Sequence, residues 1–420
     1  MGKTGKDMNP SKCFKMNKPL RILFLANRIP LPIKDGQSRR TFNILKCLST
    51  NHRVFFLSLH EASQRIDLEH IRKLEGLCEK VELYKSPPKK ISMGMLLYFV
   101  RSLFSWDPYT IWRHYSRAFF MRVTELTKTQ RVDLVHCDNL CLAYAVRNEN
   151  AVIRTITDQD VSYLKCLRMA KGCRNPFLSI LLYMESYKLR RLESDVFKQV
   201  DFGVAVSNTD KTHLEALCPV GRFEVIENGV DTDAFKPVTV KTDENTLLWI
   251  GGFDHYPNKE AMYYFLDSIY PLIKKSVSDI RLIMVGDNVT RKIRNIIVND
   301  PSIKAMGYVD DLLPYLHKST VFIVPILSGG GTRLKLLEAM GAGKAIVTTS
   351  IGCEGLEGVH NKHFLIADNA KQFAECVINV INNRKLQKYL GDNARGLAVE
   401  KYDWKGISQK MDLIYRSYIK

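Results

Sequence analysis

Residues 325 to 340 carry the densest chemistry in the chain: behind the apolar run TVFIV come PILS, then Gly329, Gly330, Gly331, Thr332, Arg333, Leu334, Lys335, Leu336, Leu337, Glu338, Ala339 and Met340. Without side chains, the glycines let backbone N–H groups approach a ligand closely, and a helix opening there adds partial positive charge suited to phosphate. Arg333 and Lys335 add two full cations in the first turns, and Glu338, about one turn on, can accept from ribose hydroxyls. That order of groups suits a diphosphate with a sugar on each side. A Gly-rich turn with solvated cations would be written with the same letters, so the position behind a buried strand is what sharpens the reading. This is not a Walker loop, since Gly331 leads into Thr-Arg and not Lys-Ser/Thr, and the dinucleotide fingerprint needs its glycines after a first strand.

Other reactive groups stand where short apolar runs end. VDLVH ends in His136 with Asp138 close behind, and the next such run ends in Thr157, Asp158 and Asp160. A His at a strand end is by itself more often structural than catalytic. The loop NRIPLPIKDGQSRRTF sets Gly36 before a basic helix start, where Arg39 and Arg40 would meet an acceptor or lipid phosphate, or simply face water. Gly286 and Asp287 follow RLIMV, and Tyr308 follows Gly307. Asp310 and Asp311 precede a helix and read as a cap, not a metal-binding pair.

These groups share a logic of placement. LRILFLA (20–26), 54–59, 132–136, 151–156 and 202–206 are short apolar runs that read as buried parallel strands, with helical patterns such as 40–48 and 183–200 between them. A second series runs through TLLWI (246–250), 281–285, 320–324, 345–348 and 364–366. Strands alternating with helices imply crossover units and a mostly parallel sheet, and ligands of such sheets sit beyond the carboxyl ends of the strands. The turn-rich stretch VIENGVDTDAFKP (225–237) separates the two series. The expected organisation is α/β: a mobile leader over 1–17, one Rossmann-like domain over 18–228, a second over 229–400, and a C-terminal segment, 401–420, whose near-helical row of Trp404, Ile407, Met411 and Tyr415 either caps the second domain or braces the first.

Composition narrows the class. At 420 residues, 45% apolar and 25% charged, the chain reads as a two-domain globular protein and not as a disordered, fibrous or membrane-bundle protein. Its longest apolar stretches fall far short of the roughly 20 residues needed to cross a bilayer. The polar start, with Lys3, Lys6, Lys12 and Lys15 and no apolar core behind them, does not read as a secretory signal, so the cytoplasm is the expected compartment. The ten Cys lack the paired spacing of a zinc site and are expected to be reduced thiols. Charge is uneven: residues 1–230 hold 37 Lys and Arg against 23 Asp and Glu, leaving 25 against 21 for the rest. A basic first half attracts acidic phospholipid, a phosphorylated acceptor or nucleic acid, or is merely a solvated surface.

The pieces GGGTRLKLLEAMGAGKAIVTTSIGCEGL, VIENGVDTDAFKP, AVSNTD and KYDW resemble the retaining glycosyltransferases of GT-B fold that carry a group 1 transferase domain. The likeness extends over Lys18 to Lys420 and is strongest over 200–410. GGFDHYPNKEA resembles in particular the branch linked to bacterial exopolysaccharide synthesis. The resemblance implies two Rossmann-like domains facing across a cleft, with a nucleotide-diphosphate sugar on the second. It further implies a glycan or lipid-linked acceptor on the first domain, and neither a metal nor any cofactor besides the donor. Glu338 matches the second Glu of the family's paired-Glu motif, which holds the ribose; the first, eight positions earlier, falls on Gly330, whose backbone would have to grip the donor sugar instead. The Arg and Lys that clamp the diphosphate in many relatives fall on Gly252 and near Asn258, and Arg333 and Lys335 are the candidates to replace them from the other side. The base is expected near Gly286, Met306, Gly307 and Tyr308, the phosphates against Gly330, Gly331 and Thr332, and the loop of Gly36 over the reacting centre. Relatives with a cleft His at that place make His136 a catalytic candidate, beside Asp138 and Lys335.

Between Met93 and Leu126, aromatics such as Phe104, Trp106, Trp112 and Phe119 interleave with Arg101, Arg113, Arg117 and Arg122, with Arg131 just beyond. That mixture suits the interface of an anionic membrane, with the protein peripheral on the inner face, and would equally suit helices packed in the first domain. An epimerase or phosphorylase of the same fold, or a non-catalytic basic binding protein, stand as alternatives. No compact nucleic-acid-binding motif accompanies the charge, so no nucleic acid is expected.

Overall fold

In the computed structural model the described residues are 18–33, 35–61, 66–87, 93–146, 152–173, 175–238 and 243–419. The expected leader, 1–17, lies outside them. The chain folds into two parallel sheets. Strands β1 (Arg21–Ala26), β2 (Arg53–Glu61), β3 (Lys80–Ser86), β4 (Leu134–Cys137), β5 (Ile153–Asp158), β6 (Phe202–Ala205) and β7 (Phe223–Val225) form a seven-stranded sheet in the order β3-β2-β1-β4-β5-β6-β7. Strands β8 (Thr246–Ile250), β9 (Arg281–Val285), β10 (Ile303–Ala305), β11 (Val321–Val324), β12 (Ala345–Thr348) and β13 (Leu365–Ile366) form a six-stranded one in the order β10-β9-β8-β11-β12-β13.

The central strands are apolar on both faces because helices cover both, and Ile22 to Ala26, Leu134 to Cys137, Thr246 to Ile250 and Val321 to Val324 are buried throughout. In each sheet the strand order reverses once, beside β1 in the first and β8 in the second. The loops leaving β1, β4, β8 and β11 therefore border a crevice.

Three strands were not expected from the sequence. β3, β7 and β10 all lie at sheet edges, where one flank meets solvent and the apolar signal is diluted: β3 reads KVELYKS with mostly half-buried positions, and β7 and β10 are three residues each. The helix expected from Tyr183 begins earlier, at Pro176, where Asn175 caps it by accepting from the N–H of Leu178 and proline occupies the first turn.

The last helix, Trp404–Tyr418, leaves the second domain and lies on the first. Trp404, Ile407, Met411 and Tyr415 are buried in one cluster with Leu20, Ile22, Phe24, Ile44 and Leu48, each apolar side chain contributing about 1.5–3 kcal/mol. Gly229 in the linker is needed for close approach, since a Cβ there would lie 2.6 Å from the Trp404 ring. Tyr402 and Trp404 also exchange backbone hydrogen bonds with Val230, at 2.8 and 3.2 Å.

The aromatic-basic span divides between two roles. Ile111, Phe119, Val123 and Leu126 enter the first core, whereas Leu97, Phe104 and Trp106 remain exposed. Arg101 and Arg191 lie over the rings of Trp112 and Trp106 at 4.0 and 4.8 Å.

Candidate functional site

The triglycine turn leaves β11 and opens the helix Leu334–Gly341. Gly329 and Gly331 take φ of 107° and 73°, left-handed values that a side chain would resist. The turn faces the other domain. Any Cβ on Gly331 would collide with the carboxylate of Asp160, one on Gly330 would stand 3.3 Å from the Asp160 carbonyl, and one on Gly36 would stand 3.3 Å from Leu334. The loops after β1 and β5 thus close over the loop after β11, and the turn lies in the groove between the halves.

Lys335 does not extend into solvent. Its Nζ donates to the carbonyl of Ile250 at 2.8 Å and to Oδ1 of Asn258 at 3.1 Å, while Asn258 donates to the carbonyl of Gly252 at 3.0 Å. The ammonium therefore arrives at the carboxyl end of β8, beside Gly252 and Asn258. Burial, with Arg333 adding to it, pushes Lys335 down to about 7. The guanidinium of Arg333 curls back onto the carbonyl of Gly330; burial lowers its pKa while Asp160 and Glu354 work against that.

Groups that the sequence did not single out complete this cluster. His255, in the loop after β8, is pushed down to about 4 by burial and then by Lys165, Arg333 and Lys335. Arg168 grips Glu354 with two bonds of 2.7 and 2.8 Å and donates to the carbonyl of Gly329 at 3.0 Å, crossing the groove. Asp210, pushed up to about 6 mainly by burial, faces the same cluster. The signals were thin. His255 sits only three residues past Gly252, and Lys165 and Arg168 are two basic residues of a helix whose direction no motif announces. Several cations hold one another's pKa values down here, and an arriving anion would reverse that effect.

At the other end of the helix start, Glu338 is buried and forms an ion pair with Arg39 of the first domain. Tyr308 is exposed and close enough to Arg39 to influence its charge. A Cβ on Gly286 would collide with the carbonyl of Gly251, and the Gly286 N–H bonds the Gly307 carbonyl at 2.9 Å, so glycine backbone lines the ends of β9 and β10. Thr332 Oγ1 is buried with no hydrogen-bond partner, an acceptor and donor left for something else.

Three candidates of the first domain are engaged within the fold. His136 is 2% exposed, stacked on Phe24 at 4.7 Å, and both ring nitrogens are engaged, by the Tyr415 hydroxyl at 2.6 Å and by Thr157 Oγ1 at 3.1 Å. Both nitrogens thus have partners within the protein, with the ring on the face of β4 that it shares with Phe24. Asp138 is equally enclosed: the Thr41 hydroxyl donates to it, and its backbone carbonyl accepts from Gln159 at 2.9 Å. Arg40, expected at an acceptor phosphate, is buried and donates to the carbonyls of Glu227 and Ile226 and to Asn228 Oδ1, all within 2.9 Å, so it ties the first helix to the linker. Arg39 reaches the groove; Arg40 does not.

Among the described residues, no group of three His, Cys, Asp or Glu is placed to hold a metal ion, and no helix is long and apolar enough to cross a membrane.

Residues 244–383 match the family of glycosyl transferases group 1, and residues 34–234 match Glycosyltransferase Family 4. A 44.6 kDa protein of the cps region of Klebsiella pneumoniae is 22% identical over 410 residues, spanning 92% of this chain and 97% of its own length. The phosphatidyl-myo-inositol mannosyltransferase of Mycobacterium tuberculosis is 26% identical over 206 residues, 46% of this chain and 53% of that enzyme, so the match spans about half of the mannosyltransferase. Among solved structures, Anabaena HepE in complex with UDP superposes with a TM-score of 0.67 at 13% identity, over 95% of this chain and 100% of HepE. The two parallel-sheet domains are those of the GT-B fold.

Proposed function

We propose that the chain, matched by the glycosyl transferases group 1 family over 244–383 and by Glycosyltransferase Family 4 over 34–234, moves a sugar, with retention, from a nucleoside diphosphate to a glycan or lipid-linked acceptor in surface-polysaccharide or glycolipid synthesis. The observation that carries this reading is the path of Lys335: it springs from the triglycine helix yet delivers its ammonium to the end of β8, where the family's usual cations are replaced by Gly252 and Asn258. A diphosphate lying between the two loops meets Lys335 and Arg333 on one side and the N–H groups of the turn on the other. Glu338 takes the ribose hydroxyls once Arg39 yields or turns to the phosphates. The base rests on the glycine backbone at Gly286 and Gly307 beside Tyr308, and the bound complexes of HepE with UDP and UDP-glucose favour a donor of this class.

Such a transfer needs no nucleophile from the enzyme. The departing phosphate accepts the acceptor's proton as the glycosidic bond forms, while Lys335 and Arg333 neutralise its growing charge, so positioning and preorganised charge supply the catalysis, without a metal. The acceptor approaches from the first domain past Gly36. The exposed Phe104, Trp106, Phe177, Ile180 and Tyr187, with Arg101 and Arg191 at their edge, would seat that domain on an anionic bilayer where a lipid-linked acceptor resides. Binding to acidic liposomes at low salt, reversed at high salt, is the expected result; no binding at low salt removes this attachment.

The direct test is a thermal-shift screen against nucleoside diphosphates and their sugars, since a ligand of the native state raises its melting temperature. The expected outcome is a rise with one nucleoside diphosphate and its sugar, followed by release of that diphosphate only when an acceptor is supplied. Release of free sugar phosphate, or epimerisation of the donor, would overturn the transferase reading.

A further inference from the structure

Besides Glu338, Glu354 and Asp210, one carboxylate of the groove lies directly against the triglycine turn. Asp160 belongs to the first domain, two residues beyond the end of β5, and reaches over the triglycine turn of the second. Its partner is Lys165, with Nζ at 2.5 Å, and it faces Arg333 and His255. The fit is mutual: glycine is required at 331 because the Asp160 carboxylate occupies the space of a side chain, and Gly330 lies against the Asp160 carbonyl.

The segment that presents Asp160 is held under strain. Val161, the next residue, is buried with φ 46° and ψ 78°, a left-handed conformation that a β-branched residue resists. Hydrogen bonds on both sides fix it. Asp158 accepts from the Ser162 hydroxyl at 3.1 Å, buried Glu193 accepts from the Tyr163 N–H at 2.9 Å, and the Gln159 side chain holds the Asp138 carbonyl at 2.9 Å. A strained turn that its surroundings over-determine is typical of a residue placed for a ligand.

A carboxylate accepts hydrogen bonds and donates none, so it repels a diphosphate and gains nothing from one. Its natural partners are hydroxyl groups, and about a third of its side chain is open to receive them. We propose that Asp160 is a specificity-determining residue of the donor site, accepting hydrogen bonds from hydroxyls of the transferred sugar and marking where the diphosphate ends and that sugar begins. The assignment rests on the donor reading given above. In this arrangement the sugar is gripped from the acceptor domain, so a donor carrying its sugar draws the two halves together more strongly than the bare diphosphate does.

The test compares affinities for UDP, GDP and their glucose and mannose conjugates, using the nucleotide that the unaltered protein prefers. If neither these nor any other nucleoside diphosphate or its sugar in the thermal-shift screen binds, the donor reading itself falls. If one does, Asp160→Asn, which keeps the shape and removes the charge, is expected to bind the diphosphate at least as well as the unaltered protein and to weaken the sugar conjugate about tenfold or more, as the loss of charge-assisted hydrogen bonds should. Asp160→Ser, which removes the reach as well, should repeat the pattern. Equal losses for the diphosphate and its sugar would mean that Asp160 only holds the loop, and no loss for either would mean that it faces nothing; both results overturn the proposal.

Discussion

The two domains share one architecture and place ionisable residues at equivalent points, beyond the carboxyl ends of central strands, but they use them in opposite ways. In the second domain Lys335, Arg333 and His255 crowd together with depressed pKa values, and Thr332 Oγ1 is unpartnered. In the first, His136, Asp138 and Arg40 are as deeply buried and bond within the fold, to Tyr415 and Thr157, to Thr41, and to the linker carbonyls, although Asp138 Oδ1 and Arg40 Nε are left unpartnered. The strand-end rule locates a crevice. Partnering alone does not separate the two sets, since Lys335 bonds the Ile250 carbonyl and Asn258, and Arg333 the Gly330 carbonyl; what differs is that these cations crowd together beside the turn between the halves.

The sharpest way to break this contrast is Lys335→Ala. Removing a preorganised charge at the departing phosphate is expected to lower turnover by about 10²–10³-fold, measured as donor consumed at saturating acceptor. Arg333→Ala should act in the same direction, and wild-type turnover in both variants would dissolve the special status of the second domain.

Next in size is a pH effect on binding. Lys335, held at about 7 by burial and Arg333, regains its proton when a diphosphate arrives, so binding takes up a proton above that pH. Diphosphate affinity should then fall as pH rises above about 7, by up to tenfold per unit, with the slope read by calorimetry and abolished in Lys335→Met. For folding the sign follows from the same depression. The stability tied to a neutral Lys335 is complete above the ordinary lysine pKa and is lost as pH falls through about 7.

A smaller effect is expected in the first domain. His136→Gln leaves the Tyr415 hydroxyl or Thr157 without its partner and should cost about 1–3 kcal/mol of stability by denaturant titration, with turnover per folded molecule unchanged. A large loss of turnover in a well-folded variant would restore a chemical role to that ring. The smallest expected effect is none at all: a chelator should leave turnover as it was, and a loss rescued by a divalent cation would sharpen the comparison toward a site that cations of the protein alone do not complete.

Much of this architecture could be read from sequence wherever burial is two-sided. Runs such as ILFLA and VFIV have no polar position to confuse them, so the central strands and the loops after β1, β4, β8 and β11 were legible. The edge strands β3, β7 and β10 were not, because solvent on one flank permits polar residues and short lengths. The triglycine turn and its cations were visible as a local pattern. Which way His136 points, or that Arg40 and Arg39, adjacent in sequence, part toward linker and groove, is decided by partners 186 residues away in the chain or more. His255, Lys165 and Arg168 become a cluster only when the halves close, and no spacing along the sequence encodes that meeting.

The last helix carries a consequence for how the molecule comes into being. The bond between His136 and Tyr415 joins residues 279 positions apart, and Trp404, Ile407 and Met411 complete the floor beneath β1. A ribosome that has just finished the first sheet has made a half-molecule with an apolar underside still bare, and nearly the whole second domain must be synthesised before its cover emerges. Shortening the chain by its final turns would therefore injure the half that was made first, and the nascent protein has reason to meet a chaperone before its own tail arrives.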